Sequence, residues 1–304
     1  MLSRLALGTA QFGLDYGITN RNGEVSEQDT AAILDRAHAK GVRLLDTAPA
    51  YGHSEETIGK LDPDGRFAVV TKTMPIATGG AEILERDIDD IEREFEAGLG
   101  RLRRSSVEGL LVHHGRQIAA PGGEGIARKL EDIRDSGRAR KIGVSVYSGA
   151  EIDHILERFT PDIIQLPTNV ADQRLHVSGH LAQLTTKGIE IHARSLFLQG
   201  TLLCSARHLP HFFEVARDDF ERIEDIAKRN QISKMQLCLG FAAQQTELDR
   251  LIVGATSVAE FDEIAAAAES AAEIANALDC EITKLSFSHH AILDPSGWPP
   301  QEHP

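Results

Sequence analysis

Four residues of this chain could together transfer a proton at neutral pH. Asp46 ends the apolar run LLD and Tyr51 follows it in DTAPAYG, while Lys72 ends AVVTK and His113 ends GLLVH. A phenol alone is a weak acid, because its pKa is about 10. A neighbouring ammonium lowers that pKa, a carboxylate keeps the ammonium charged, and an imidazole can hydrogen-bond a carbonyl oxygen that becomes an alkoxide. Lys72, Asp46 and His113 could supply these groups to Tyr51, which would act as general acid and base.

The adjacent His113 and His114 also suggest a metal site. Consecutive residues of a strand point to opposite faces, so both imidazoles cannot readily bind one ion. The three cysteines, Cys204, Cys238 and Cys280, are widely spaced and form no CxxC pair. This spacing is typical of reduced thiols and indicates neither a zinc site nor a disulfide framework. We therefore expect no metal ion.

A fold that gathers the ends of several strands must position these residues. Eight short apolar runs recur along the chain, most of them followed by a helical pattern, which is typical of β/α units in a parallel sheet. The predicted strands are 5–8, 43–46, 68–71, 109–113, 141–145, 162–166, 189–193 and 251–254. With no flexible linker between them, they predict an α/β fold, a single (β/α)8 TIM barrel domain over residues 1–304. A doubly wound open sheet is the alternative, but GTAQFG only partly matches the GxGxxG turn that it requires.

Helix signals and segment lengths refine this plan. Ser26, Ser148 and Ser257 are predicted N-caps, and Gly41 is predicted to end the first long helix. Residues 195–250 are too many for one helix and its turns, so they predict an extra excursion between strands 7 and 8. The polar, proline-bearing tail, residues 280–304, either folds over the barrel or frays.

Charge and composition exclude several other classes of protein. The chain is 41% hydrophobic, which rules out wholesale disorder. Its 32 lysine and arginine residues stand against 46 aspartate and glutamate residues, and the net charge of -14 disfavours nucleic-acid and membrane-surface partners. The N-terminus lacks the apolar run of a signal peptide, and no stretch approaches the roughly 20 apolar residues of a membrane span. We expect a soluble, cytoplasmic protein whose oligomeric state the sequence leaves open.

Several segments together resemble the aldo-keto reductase superfamily. They are DTAPAYGHSEETIG, the strand end at Lys72, LLVHH, KIGVSVYS, IIQLPTN and LIVGATS, which occur in the order and approximate spacing of that family over nearly the whole chain. The resemblance implies a (β/α)8 barrel that binds NAD(P)(H) in extended form and reduces aldehydes or ketones. LGTAQFGLDYG and HARSLFLQG are similar to a bacterial subgroup associated with sugar and surface-polysaccharide metabolism, which implies a small carbonyl or sugar substrate.

The resemblance also implies roles for individual residues. Those that match the catalytic tetrad are Asp46, Tyr51, Lys72 and His113. Those that match cofactor contacts are Gly8, Thr9, Ala10, Asp46, Ser145, Gln165, Arg194, Ser195, Leu196, Phe197, Gln199, Gly200, Gly254, Ala255, Thr256, Ser257 and Glu260. The candidate substrate contacts, each at or near a strand end, are Phe12, Tyr51, His113, His114 and Tyr147.

The chain departs from the family pattern at the cofactor site. Val146 stands where the family usually has asparagine, and Arg194 where an aromatic residue commonly stacks on the nicotinamide. A guanidinium can also stack on a ring, and it adds charge toward an acidic substrate or a phosphate. Residues 254–268 contain no lysine or arginine for the 2′-phosphate of NADP, whereas Glu260 could bind the ribose hydroxyls of NAD. The NAD-versus-NADP preference stays open, with NAD(H) expected to serve at least as well unless an arginine of residues 195–250 reaches the phosphate.

Two other functions fit part of the pattern. A nicotinamide-binding barrel without catalysis could act as a regulatory subunit, although the intact tetrad favours an enzyme. A barrel lyase or isomerase could use Lys72 to form a Schiff base, which leaves Tyr51 and His113 without a role. The sequence therefore favours an NAD(P)-dependent oxidoreductase that acts on a carbonyl or, in reverse, on a hydroxyl or sugar hemiacetal.

Overall fold

Eight parallel strands form a closed barrel in the computed structural model of the protein, which describes residues 1–76 and 82–299. The strands are β1 (Leu5–Gly8), β2 (Leu44–Asp46), β3 (Ala68–Lys72), β4 (Val107–Val112), β5 (Ala139–Ser145), β6 (Ile163–Pro167), β7 (Glu190–Arg194) and β8 (Arg250–Val253). Each strand pairs with the next, and β8 closes the barrel on β1 through the partners Leu251 and Leu5. The predicted (β/α)8 barrel is confirmed, and every predicted strand is present.

Helices follow the strands around the outside of the barrel. The described residues include α1 (Glu27–Ala39), α2 (Ser54–Leu61), α3 (Glu85–Leu102), α4 (Arg116–Ala119), α5 (Glu124–Asp135), α6 (Gly149–Leu156), α7 (Arg174–Val177), α8 (His180–Thr186), α9 (Arg217–Arg229), α10 (Lys234–Gln244), α11 (Val258–Ile282) and α12 (His290–Leu293). Short 3-10 helices are formed by Leu2–Arg4, Ala10–Phe12, Thr201–Leu203, Ala206–His208, His211–Ala216 and Pro295–Gly297.

The predicted helix caps are present. The side chains of Ser26, Ser148 and Ser257 each accept a hydrogen bond from the backbone N–H three residues later, at the starts of α1, α6 and α11. Gly41 follows the end of α1 with a φ of 92°, a left-handed conformation that glycine adopts without strain. These local signals fix where helices begin and end, and two of them lie directly after strand ends.

Two apolar layers hold the barrel together. The six side chains that form the inner cluster are Ala6, Leu44, Val70, Leu111, Ile163 and Ile252. An outer cluster packs alternate strand residues such as Leu45 against helix residues such as Ile33 and Phe261. Because strand side chains alternate between faces, strands buried on both sides read as nearly continuous apolar runs. The inner cluster separates the polar strand ends on one rim from the opposite end of the barrel.

Residues 195–249 form the predicted excursion between β7 and β8. They include 3-10 helices, α9 and α10, and they build a second apolar cluster around Phe213, Phe220 and Phe241. A separate packing unit thus stands in the chain between β7 and the last strand.

The C-terminal tail packs on this excursion. Helix α11 continues to Ile282, and after it Phe287, Ile292 and Leu293 are buried in the second cluster. The Phe287 backbone N–H also donates to the carbonyl oxygen of Ala171 at 2.8 Å. The tail up to residue 299 is thus part of the packed fold, and residues 300–304 of the predicted tail lie outside the described residues.

Removing the Phe287 ring should destabilise the fold without touching the polar rim. This residue is 3% exposed, and its ring meets that of Phe220 edge-on at 4.9 Å. Phe287→Ala leaves a cavity, so we expect the free energy of unfolding to fall by about 3–5 kcal/mol in urea denaturation. Val177→Ala is the control, because Val177 is 78% exposed and its loss should cost less than about 0.5 kcal/mol. Equal stability of the two variants would show that the tail is not part of the cooperative fold.

Candidate active site

A buried ion pair joins the ends of β2 and β3. Lys72 Nζ donates to Asp46 Oδ1 at 2.8 Å, and the two side chains are only 1% and 6% exposed. Lys72 Nζ also donates to the carbonyl oxygen of Thr47 at 3.1 Å, and Asp46 Oδ2 accepts from Gln165 Nε2 at 2.7 Å. Residues far apart in the chain meet here because parallel strands bring their carboxyl ends to one rim.

Tyr51 lies beside this pair, with Lys72 Nζ 5.0 Å from the centroid of its ring. Burial raises the pKa of Tyr51, and the charge of Lys72 opposes this shift without reversing it. Lys72 lowers the pKa of Tyr51 as expected, but the removal of water from the phenol has the larger effect, so the net pKa is raised. Burial lowers the pKa of Lys72, but Asp46 and Tyr51 more than offset it, and the net pKa is raised. Lys72 is thus held as an ammonium.

His113 follows β4 and meets Tyr51 edge to face, with 5.9 Å between ring centroids. Burial and then the charge of Lys72 lower the pKa of His113 to about 3. The imidazole is therefore neutral at physiological pH, with one nitrogen as donor and the other as acceptor. Its Nδ1 is buried and has no hydrogen-bond partner among the residues that the structure describes. A neutral imidazole can bind a carbonyl oxygen without adding a charge to the site.

These side chains line a cavity of about 590 Å³ at the carboxyl ends of the strands. The predicted site residues that line it are Gly8, Thr9, Ala10, Asp46, Tyr51, Lys72, His113, Ser145, Tyr147, Gln165, Arg194, Ser195, Leu196, Phe197, Gln199, Gly200, Gly254, Thr256 and Glu260. The barrel thus brings together residues from the ends of β1 to β8, because parallel strands in a closed barrel end on the same rim.

Four predicted site residues lie outside this lining. Phe12 does not line the cavity, because it is 1% exposed and packs in the hydrophobic core. His114 packs beside His113, with 5.1 Å between their ring centroids, and does not line the cavity. Ala255 is buried in the core, and the Ser257 hydroxyl is used to cap α11. Choosing residues only because they lie near a strand end therefore predicts too many cavity residues.

The loop between β1 and α1 contributes a wall that the sequence analysis missed. The cavity residues of this loop that were not predicted are Gln11, Tyr16, Gly17, Thr19, Asn20, Arg21 and Asn22. Elsewhere the additions are Leu203, Ile252 and Val253. The stretch from Gly8 to Glu27 exceeds the few residues that usually join a strand to a helix. Its length is the signal that could have revealed a functional loop.

This β1 loop is tied to the segment that follows β7. The Ile18 N–H donates to Gln199 Oε1 at 3.1 Å, and Thr19 Oγ1 donates to the Gln199 carbonyl oxygen at 2.9 Å. Ser195, Leu198 and Gln199 have φ angles of 61°, 48° and 52°, which non-glycine residues seldom adopt. Such backbone persists only where its surroundings hold it, so the two loops form one wall of fixed shape.

Glu260 lies at one end of the cavity lining, at the N-terminus of α11. Its Oε2 accepts from the Thr256 N–H at 2.7 Å and from Thr256 Oγ1 at 2.8 Å. No arginine of residues 195–250, a segment that the structure describes in full, lines the cavity. Arg194, which precedes this segment at the end of β7, does line it. Arg21 of the β1 loop does line it. The two hydrogen bonds from Thr256 thus hold the Glu260 carboxylate in place.

Two other features bear on function. Within residues 1–76 and 82–299, no group of three or more His, Cys, Asp and Glu side chains is arranged to hold a metal ion. No helix in these ranges is both long and apolar enough to cross a membrane.

Residues 4–279 match the Aldo/keto reductase family, and the chain belongs to this family. It is 26% identical over 298 residues to the NADH-specific methylglyoxal reductase of Escherichia coli (strain K12), covering 88% of this chain and 90% of that protein. The fold is similar to that of the aldo-keto reductase AKR11C1 from Bacillus halodurans (holo form), with a TM-score of 0.73, 19% identity and 94% of each chain covered. It is also similar to that of the glycerol dehydrogenase AKR11B4 from Gluconobacter oxydans, with a TM-score of 0.66, 20% identity and coverages of 92% and 93%. The protein is an NAD(P)-dependent oxidoreductase of the carbonyl-reducing type.

His113 should make the protein less stable below neutral pH. Its pKa is about 3 in the folded state against 6.5 as the ordinary value, so between these values the unfolded chain binds a proton that the folded protein does not. Stability is therefore lost as the pH falls from about 6.5 toward 3. In urea denaturation at pH 7.5 and 4.5, His113→Gln should show a smaller loss of unfolding free energy than the parent.

The control for this experiment is His53→Gln, because the side chain of His53 is 74% exposed. This variant should keep the pH dependence of the parent. If His113→Gln also kept it, the burial of a neutral imidazole at this position would be disproved.

Proposed function

We propose that Tyr51 gives its hydroxyl proton to the oxygen of a bound carbonyl as that carbonyl is reduced to an alcohol. The observation that carries the proposal is the Lys72 ammonium, buried against Asp46 and 5.0 Å from the phenol ring. When the proton leaves, negative charge develops on the phenol beside this ammonium. The attraction is strong because water is largely excluded from around both groups. In the reverse direction the phenolate takes the proton of the alcohol.

His113 and Asp46 have supporting roles in this proposal. The neutral imidazole of His113 hydrogen-bonds the carbonyl oxygen and orients it toward Tyr51. Asp46 keeps Lys72 charged, and its second oxygen is held by Gln165. Removing either partner of the pair would leave an uncompensated buried charge.

The cavity residues fit a nicotinamide dinucleotide. The Ser145 hydroxyl and the Gln165 amide line the wall, and together they can satisfy both the carbonyl and the amino group of a carboxamide. At the other end, Gly254 precedes the N-terminus of α11, where backbone N–H groups favour a phosphate. A Cβ atom at Gly254 would come within 2.8 Å of the Gln11 amide, so a larger residue there would require the Gln11 side chain to move. When bound, the reduced nicotinamide supplies the hydride for the carbonyl carbon.

Two alternatives are less well supported. A Schiff base requires a free amine at Lys72, whereas Asp46 and Tyr51 raise its pKa and keep it protonated. A regulatory barrel without catalysis would have no use for a buried charge pair beside a phenol. The E. coli relative is named for methylglyoxal, so methylglyoxal and simple aldoses are the first carbonyls to test.

Tyr51→Phe tests the proton donor. Because the phenol hydroxyl is lost and the ring remains, turnover with every active carbonyl should fall by about 100-fold or more. Steady-state oxidation of NADH, followed at its absorbance band, measures this change. The dissociation constant for NADH, measured by fluorescence titration, should stay within a few-fold and controls for folding. Near-normal turnover in this variant would remove Tyr51 from the mechanism.

We further propose that NAD(H) is used at least as well as NADP(H). Glu260 lies at the cavity wall with its carboxylate fixed by Thr256, and residues 254–268 offer no cation to a 2′-phosphate. A carboxylate there accepts hydrogen bonds from ribose hydroxyls and repels a phosphate. The NADH-specific relative supports the same preference. Glu260→Lys should shift the ratio of dissociation constants toward NADPH by about tenfold or more.

Glu263→Lys is the matched control, since Glu263 is exposed on the same helix and does not line the cavity. It makes the same change in net charge and should leave the ratio unaltered when ionic strength is held constant. If the parent bound NADPH about tenfold more tightly than NADH, the proposed preference would be overturned.

A further inference from the structure

Arg194 is a cation in the cavity wall that has no carboxylate partner among the described residues. Two other cations share the cavity with it: Arg21 of the β1 loop, and Lys72, which is paired with Asp46. Within the described parts of the chain, no Asp or Glu oxygen lies within 4.0 Å of the Arg194 guanidinium. The contacts of this guanidinium are with neutral groups alone. It therefore differs from most buried or half-buried cations, which are paired.

The guanidinium is nevertheless held in a fixed place. Its Nη2 donates to the Val146 carbonyl oxygen at 3.1 Å, and its Nη1 donates to Ser195 Oγ at 3.3 Å. The ring of Tyr147 covers it, with 4.2 Å between the guanidinium carbon and the ring centroid. A guanidinium has five N–H donors, so these contacts leave donors free for a ligand. An ordered guanidinium with free N–H donors can bind an anion through two of its oxygens.

This guanidinium also lies near the reacting groups. Arg194 and Tyr147 line the same cavity as Tyr51 and His113. The charge of Arg194 contributes to lowering the pKa of His113, after burial, Lys72 and His114. A ligand that reaches Arg194 can therefore be in the same molecule as the carbonyl that reaches Tyr51.

We propose that Arg194, stacked on Tyr147, binds an oxyanion of the substrate, a carboxylate or a phosphate, so that the preferred substrates are anionic carbonyl compounds. This inference rests on the proposed carbonyl reduction and names its substrate class. The protein as a whole carries a net charge of -14 and repels anions at long range. Selection of an anionic substrate must then come from a local cation, and Arg194 is placed to supply it. Planar guanidinium groups recognise both carboxylates and phosphates through paired N–H donors.

Matched pairs of substrates test the inference. One pair is 4-carboxybenzaldehyde and 4-carbamoylbenzaldehyde, which have nearly the same shape and differ in charge. The other is glyceraldehyde 3-phosphate and glyceraldehyde, which tests the phosphate. For each pair the ratio of kcat/KM values, charged over neutral, is measured in the parent and in Arg194→Met. Comparing the ratio between proteins cancels the intrinsic reactivity of each aldehyde.

We expect Arg194→Met to lower the charged-over-neutral ratio by about 10–100-fold for at least one pair, as for the loss of a charged hydrogen bond. The pair that responds identifies the oxyanion. The change in kcat/KM for the neutral aldehyde measures whatever Arg194 contributes that does not depend on the charge of the substrate. Arg140→Met is the control, because Arg140 is 75% exposed near the start of β5, away from the cavity, and its loss changes net charge equally. This variant should keep the ratios of the parent.

Two results would overturn the inference while leaving carbonyl reduction intact. The first is an unchanged ratio for both pairs in Arg194→Met. The second is an equal fall for charged and neutral aldehydes together with weaker NADH binding in fluorescence titration, which would make Arg194 a cofactor contact. If the parent reduced neither these aldehydes nor methylglyoxal, the proposed function would fail and the inference with it.

Discussion

At the rim of the barrel two opposite charges, Lys72 and Asp46, are almost completely removed from water. Moving each ion into a protein interior costs several kcal/mol, which only a close partner and further hydrogen bonds can offset. Here Asp46 accepts from both Lys72 and Gln165, and Lys72 donates also to the Thr47 carbonyl oxygen. The arrangement leaves a fixed ammonium beside Tyr51. The proposed chemistry depends on this charge being in place before a substrate binds.

The barrel makes such a pair possible because its strands are parallel and closed. Their carboxyl ends share one rim, and the inner apolar cluster lies directly beneath it. Loops then determine what the rim can bind. The β1 loop and the segment after β7 are tied together through Gln199. That segment has positive φ angles at non-glycine residues, which persist only where the surroundings hold them. The cavity wall carries the paired Lys72, the cations Arg21 and Arg194, and the fixed carboxylate of Glu260.

Much of this architecture follows from local sequence. Apolar runs that alternate with helical patterns predict the eight strands and their order, because a parallel strand must bury both faces. Ser148 and Ser257 predict helix starts, since a hydroxyl can satisfy an early helical N–H wherever the chain lies. The positions of Asp46 and Lys72 at strand ends then predict that they meet on one rim, although they are 26 residues apart.

What depends on distant packing could not be predicted in this way. Phe12 and His114 stand near strand ends, but the tertiary structure buries one ring in the core and packs the other beside His113. The raised pKa of Tyr51 depends on how much water the whole rim excludes, which no neighbouring residue reveals. The wall made by the β1 loop depends on contacts with Gln199, about 180 residues away. Sequence by itself determined the order of strands, the helix caps and the residues on the rim, because these follow from periodicity and local hydrogen bonding. Only the tertiary structure decided which side chains reach the cavity and which charges stay unpaired, because both depend on long-range contacts. It also decided the direction in which burial shifts the pKa values of the site residues, because those shifts depend on the exclusion of water.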